Sequence, residues 1–152
     1  MKRRNLVLCA VLAITALAVG GCSRESAVEL PQMANVEPIA GTDFNKITLT
    51  DTAYQNLAIE TTAAAQESVA ATAGATAKSL VVIPMTALVF SPDGSPFVYT
   101  NPAPKAYVRA PLVIDSYRGS DVVLSKGPAA GTQVVTVGDP ALLGIEYGVG
   151  DE

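Results

Sequence analysis

The chain has no histidine and no tryptophan. It holds two cysteines, three phenylalanines and five tyrosines in 152 residues. Each shortage excludes something. Without histidine, the usual general base and the commonest metal ligand are missing. The acidic residues are scattered, with no calcium-loop spacing, and no glycine-rich loop is built to cradle phosphate. Ser125 and Lys126 are adjacent in a strand-like stretch, so their side chains point to opposite faces and cannot act together. Met33 and Met85 are far apart, which fits a linker residue and a core filler better than a metal pair. The expectation is a non-catalytic protein with no metal and no cofactor. Nor is there an apolar run of the roughly 20 residues that a membrane-crossing helix needs. The longest, Leu6 to Val19, is about 14 residues and is broken only by Thr15.

That run follows Lys2, Arg3 and Arg4. A basic start and a short apolar core read as a secretion signal. It ends in "VGGC", Val19 to Cys22. Small residues before a cysteine resemble the lipobox of bacterial lipoproteins, where glycines let the protease approach the backbone. The resemblance implies cleavage after Gly21 and a diacylglycerol on Cys22, so the first partner is membrane lipid. Cys9 leaves with the signal, which excludes an internal disulfide in the mature chain. One acyl chain binds a membrane only marginally, but two or three anchor it firmly. The expected location is therefore the extracytoplasmic face of a cell membrane, held by lipid. Three of the 10 basic residues go with the signal, leaving seven against 14 acidic ones. An acidic chain without clustered Lys and Arg is a poor nucleic-acid binder.

Residues 22–43 mix proline, charge and small side chains without helical or strand periodicity, which reads as a disordered spacer. Residues 44–147 read as one β-rich domain and 148–152 as a tail. "KITL" is a strand, and Thr50 caps a short helical turn ending near Leu57. "NLAIETTAA" and "SLVVI" are strands, and the low-complexity Thr61 to Ser79 is taken as extended. "ALVF" and "PFVYT" flank "SPDGS", where Pro92, Asp93 and Gly94 specify an exposed turn with Gly94 at positive φ. "LVVI" and "FVYT" are expected in one sheet. "KAYVRAPLVI", "DVVLS" and "TQVVTV" follow as strands. Asp139 as N-cap and Pro140 at the first helical position begin a short last helix. Val82, Leu88, Val98, Val108 and Val135 are the expected core. Short strands at this spacing give an all-β fold, a small barrel or roll with short helical turns.

Ile83-Pro84-Met85-Thr86-Ala87, Gly94 to Tyr99, Tyr107-Val108-Arg109 and Gly127 to Leu143 together resemble the membrane-proximal domain of periplasmic adaptor proteins. These are the membrane fusion proteins of RND, heavy-metal and ABC-type efflux systems. Ile47 to Ala64 resembles the strand that enters the adaptor β-barrel domain. Pro84, lacking an N–H, suits a strand edge or bulge where the chain crosses between domains. Gly131 and Gly138 suit sharp turns at either end of "TQVVTV". The resemblance implies a membrane permease or transporter as partner, with Asp93, Gly94 and Arg109 as contact residues.

The chain also departs from that family. The two half-motifs of a lipoyl-like domain and the long helical hairpin are missing, and only a short connection fits between Ala64 and Leu80. "RAP" stands where a pair of basic residues is commoner. Two readings remain open: an adaptor-like subunit of a transporter, or an extracytoplasmic ligand-binding or cell-envelope lipoprotein unrelated to transport.

Overall fold

A computed structural model describes residues 32–69 and 78–149 of the chain. The chain divides into two units, Met1–Leu30 and Pro31–Glu152, and the described residues all belong to the second. The signal segment and Cys22 lie outside the described residues.

The elements are β1 (Ala34–Pro38), β2 (Asn45–Leu49), α1 (Asp51–Leu57), β3 (Glu60–Ala63), β4 (Ala65–Val69) and β5 (Lys78–Pro84). A 3₁₀ turn, Met85–Ala87, leads to β6 (Val89–Phe90), β7 (Pro96–Ala103), β8 (Ala106–Pro111), β9 (Val113–Arg118), β10 (Asp121–Lys126), β11 (Gln133–Val137) and α2 (Asp139–Glu146). The first sheet has the order β1-β2-β8-β7-β11-β3, with β6 also on β7. The second has the order β4-β5-β10-β9. Every pairing is antiparallel.

The two sheets are joined through two bent strands. β3 continues into β4 through Ala64, and β8 into β9 through Leu112. At the first bend Ala64 donates its N–H to Thr132, and Gly131 donates to the Ala64 carbonyl, both at 2.8 Å. At the second, Leu112 donates to the Pro96 carbonyl at 3.1 Å. The staves β3/β4, β5, β10, β9/β8, β7 and β11 therefore close into a ring, a small β-barrel.

The alternation of side chains along each strand fills this ring from both walls. Val98 and Val134 point in from the first sheet, and Ile83, Val122 and Leu124 from the second. Ala64, Ala87 and Leu112 complete the cluster. The neighbours of the inward residues serve another core on the outside of the first sheet. There Ile47, Leu49, Phe97, Tyr99, Tyr107 and Val135 pack against Ala53 of α1 and Leu142 of α2. On the outward face of the second sheet, Leu80, Val82 and Val123 form a third group. Arg118 and Glu67 meet at 2.6 Å on that same face.

The all-β expectation holds, and several local ones do too. Thr50 caps α1, its Oγ1 accepting from Ala53 N–H at 3.3 Å. Gly94, Gly131 and Gly138 have φ of 85°, 85° and 98°. Pro84 is the exception: it is the last residue of β5, an inner strand of the second sheet, and marks the strand's end at the 3₁₀ turn instead of an edge, a bulge or a crossing between domains.

Other expectations are corrected. The segment taken as a spacer contains β1, which forms because Ala34 packs on the outer core while the strand pairs with β2. "LVVI" and "FVYT" lie in different sheets, β5 and β7, and their side chains Ile83 and Val98 meet inside the barrel. The partner arm of "FVYT" across the turn is only the two-residue β6. Val82, Val98 and Val135 are buried, but Leu88 and Val108 are only partly so. Met85, expected in the core, is 42% exposed. The N-cap of α2 is Gly138, so Asp139 and Pro140 are its first two residues and Asp139 caps nothing with its side chain.

Candidate interaction site

The β6–β7 hairpin ends in the turn Pro92–Ser95, which is exposed. The turn is built locally. Ser91 N–H donates to Ser95 O at 2.9 Å, and Gly94 N–H to Ser91 O at 2.8 Å. Asp93 accepts from Ser95 N–H at 3.1 Å and from its hydroxyl at 2.8 Å. Those two bonds to Ser95 hold the Asp93 carboxyl below the usual range, so it stays ionised. Gly94 supplies the left-handed residue that the turn requires,.

Arg109 was expected on this surface, and the structure corrects that. It lies on β8 opposite Tyr99 of β7, with a side chain only 9% exposed. Its Nε donates to Glu146 Oε2 at 2.6 Å, and its Nη1 donates to Ser91 Oγ at 3.2 Å. The guanidinium lies over the Phe97 ring at 4.4 Å and near the Tyr147 ring at 5.2 Å, a cation–π arrangement in a poorly solvated place. Burial works to lower the Arg109 pKa. Contact with Tyr147 and Glu146 outweighs it, so the group stays charged.

Glu146 is the centre of this network. Its Oε2 also accepts from the Tyr99 hydroxyl at 2.5 Å. Burial first, and then the Glu146 carboxylate, raise the Tyr99 pKa, so the phenol keeps the proton it donates. Phe97 meets Tyr99 edge to face, centroids 5.4 Å apart, a favoured aromatic geometry. A charged centre of this kind holds three elements together: the hairpin through Ser91, β8 through Arg109 and α2 through Glu146.

Of the expected site residues, Asp93 and Gly94 share the exposed turn, while Arg109 supports that turn from beneath through Ser91. Glu146, Tyr147, Tyr99 and Ser91 were not singled out from sequence. One signal did exist for Glu146. It falls four residues after Leu142, on the same helical face, and Leu142 is fully buried. Among the described residues no cluster of three or more His, Cys, Asp or Glu could hold a metal, and no helix is long and apolar enough to cross a membrane. No protein-family model matches the chain, and no curated protein is significantly similar to it.

Proposed function

We propose that the chain is a lipid-anchored, extracytoplasmic, non-catalytic adaptor-like subunit that acts with a membrane transporter of efflux type. One observation carries this reading. The segments that resemble adaptors are not dispersed but cooperate. Ile83 and Val134 line the barrel, Phe97, Tyr99, Tyr107 and Leu142 build the layer outside it, and Arg109 ties that layer to the hairpin. The product is an exposed turn, Pro92–Gly94, mounted on a buried ionic support. A rigidly held turn suits docking, because little ordering cost remains to be met on binding.

A second reading has its own support. A cleft of about 300 Å³ lies between the ends of β5 and β10, lined by Leu80, Leu124, Lys126 and Pro128 among others. It is open to solvent and lined by polar and apolar groups alike, so a ligand-binding lipoprotein would hold a ligand there on its surface instead of enclosing one,.

The test is site-specific crosslinking in native membranes, with a photoreactive side chain at position 93. Adducts with a polytopic transporter are the expected result. Asp93→Lys should reduce co-purification of that transporter, and because it also removes the two bonds from Ser95 that shape the turn it should cost about 1 kcal/mol of stability. Val98→Asp, which puts a charge in the barrel interior, is the unfolded control. If position 93 gives no transporter adduct and Asp93→Lys co-purifies as wild type does, the docking role fails. A small molecule that raises the melting temperature without any partner would then favour the second reading.

A further inference from the structure

The buried stripe of α2 runs through Asp139, Leu142 and Glu146, at helical spacings of three and four residues. Leu142 is fully buried and Asp139 is 6% exposed. The stripe thus has a carboxyl group at each end, and the two ends differ. Glu146 is satisfied by Arg109 and Tyr99. Asp139 has a buried Oδ1 with no hydrogen-bond partner. Its neighbour Gly138 is wedged against Ile59, so that a Cβ there would come within 2.8 Å of Ile59 Cγ1. The first turn of α2 is therefore pressed into place with a carboxyl group beneath it.

We propose that protonation of Asp139 controls how firmly the first turn of α2 is seated on the first sheet, tight in acid and loosened above neutrality. The reason is electrostatic. An unpartnered carboxyl oxygen in an apolar place tolerates a proton far better than a charge. Charged and titratable groups on the surrounding elements offer no relief. Glu37 of β1 and Lys46 of β2 pair with each other at 2.6 Å. Asp51 of α1 pairs with Lys105. Arg109 of β8 is held by Glu146 at the far end of α2, and although its Nη2 is buried without a partner it makes no hydrogen bond to Asp139. Tyr99 of β7 donates to Glu146, and Tyr54 of α1, Tyr107 of β8 and Glu60 of β3 make no hydrogen bond to Asp139. Burial pushes the Asp139 carboxyl up to about 7, against a smaller lowering by its own backbone amide. The positive end of α2 favours the anion, but that effect is modest at a short helix.

The direction follows from linkage. The folded pKa is raised above the unfolded one, so the folded state binds the proton more tightly. The contribution is complete below the ordinary aspartate range and is lost as pH rises through about 7. Loosening the first turn would weaken the hold of α2 on the outer core while leaving the Arg109–Glu146 pair, which does not titrate in this range through Arg109.

The experiment is hydrogen exchange of the full chain at pH 5 and pH 8, expressed as protection factors so that the intrinsic pH effect is removed. In wild type the α2 amides of Leu142 and Leu143 should lose at least tenfold in protection between the two, because each unit of pKa shift is a factor of ten. The barrel amides of Val122 and Val123 should change less. In Asp139→Asn the α2 protection should be the same at both pH values. Equal protection of wild-type α2 at both pH values, or a pH dependence that survives in Asp139→Asn, overturns the proposal. A second readout needs no variant. The side-chain carboxyl resonance of Asp139 in wild type should titrate near neutrality, and a midpoint near 4 also overturns it.

Discussion

Arg109 and Glu146 are 37 residues apart in sequence, yet they form a 2.6 Å ion pair with side chains 9% and 5% exposed. A pair this well covered behaves differently from a surface salt bridge. Exposed pairs are worth about 0–1 kcal/mol. Buried ones add little over an apolar replacement, but removing one partner strands the other charge.

Arg109→Met is therefore expected to destabilise the domain by about 3 kcal/mol, far more than a surface change. Glu146→Leu should cost a similar amount and also leave the Tyr99 hydroxyl unpaired. The double variant should be clearly more stable than the sum of the two losses. Urea unfolding of the four proteins closes the cycle. Additive losses would mean that the ion pair is not coupled in solution.

Gly94 and Gly138 share a left-handed backbone but not their surroundings. A Cβ at Gly94 meets nothing within 4 Å, whereas at Gly138 it meets Ile59. Gly94→Ala should cost about 1 kcal/mol, the backbone strain alone. Gly138→Ala should cost about 3 kcal/mol, since overpacking adds to the strain. Thermal unfolding of the two variants side by side decides this, and equal losses would show that the contact with Ile59 relaxes freely.

The lipid anchor predicted from "VGGC" is open to mass spectrometry. The N-terminal peptide of the mature protein should begin at Cys22 and carry a diacylglyceryl adduct. Cys22→Ser should leave the chain unprocessed or free of membranes. A wild-type chain with an unmodified Cys22 thiol in the soluble fraction would contradict the anchor.

The strands were legible because their side chains alternate and their turns carry proline, glycine and aspartate. The Pro92–Gly94 turn could be placed from three residues, since its hydrogen bonds are local. Which strands share a sheet was not legible. Phe97, Val98 and Tyr99 are apolar on both faces, and that pattern says only that both faces are covered. Nothing in it tells Val98 to meet Ile83 across a barrel instead of beside it in a sheet. Arg109 was singled out but misplaced, because its partner comes from a helix 37 residues later and a lone arginine in a strand looks solvated. Asp139 was misread for a related reason. Aspartate before proline looks like an N-cap, and only the left-handed turn at Gly138 moves the cap back one residue and turns the carboxyl inward.

The ring of staves has a consequence for how the molecule comes to be folded. β11 is the stave between β3 and β7, strands whose facing residues lie some seventy and thirty positions earlier, as in Val134 opposite Thr62 and Thr100. Until β11 arrives, β3 and β7 each present an open edge, the kind of template on which chains stick to one another. A chain delivered from its N-terminus must therefore wait with two raw edges until the last strand of the barrel has emerged. Non-local closure of this sort is slow. For this fold the hazardous moment is late in synthesis, and shielding of the growing chain would be of most use just before β11 appears.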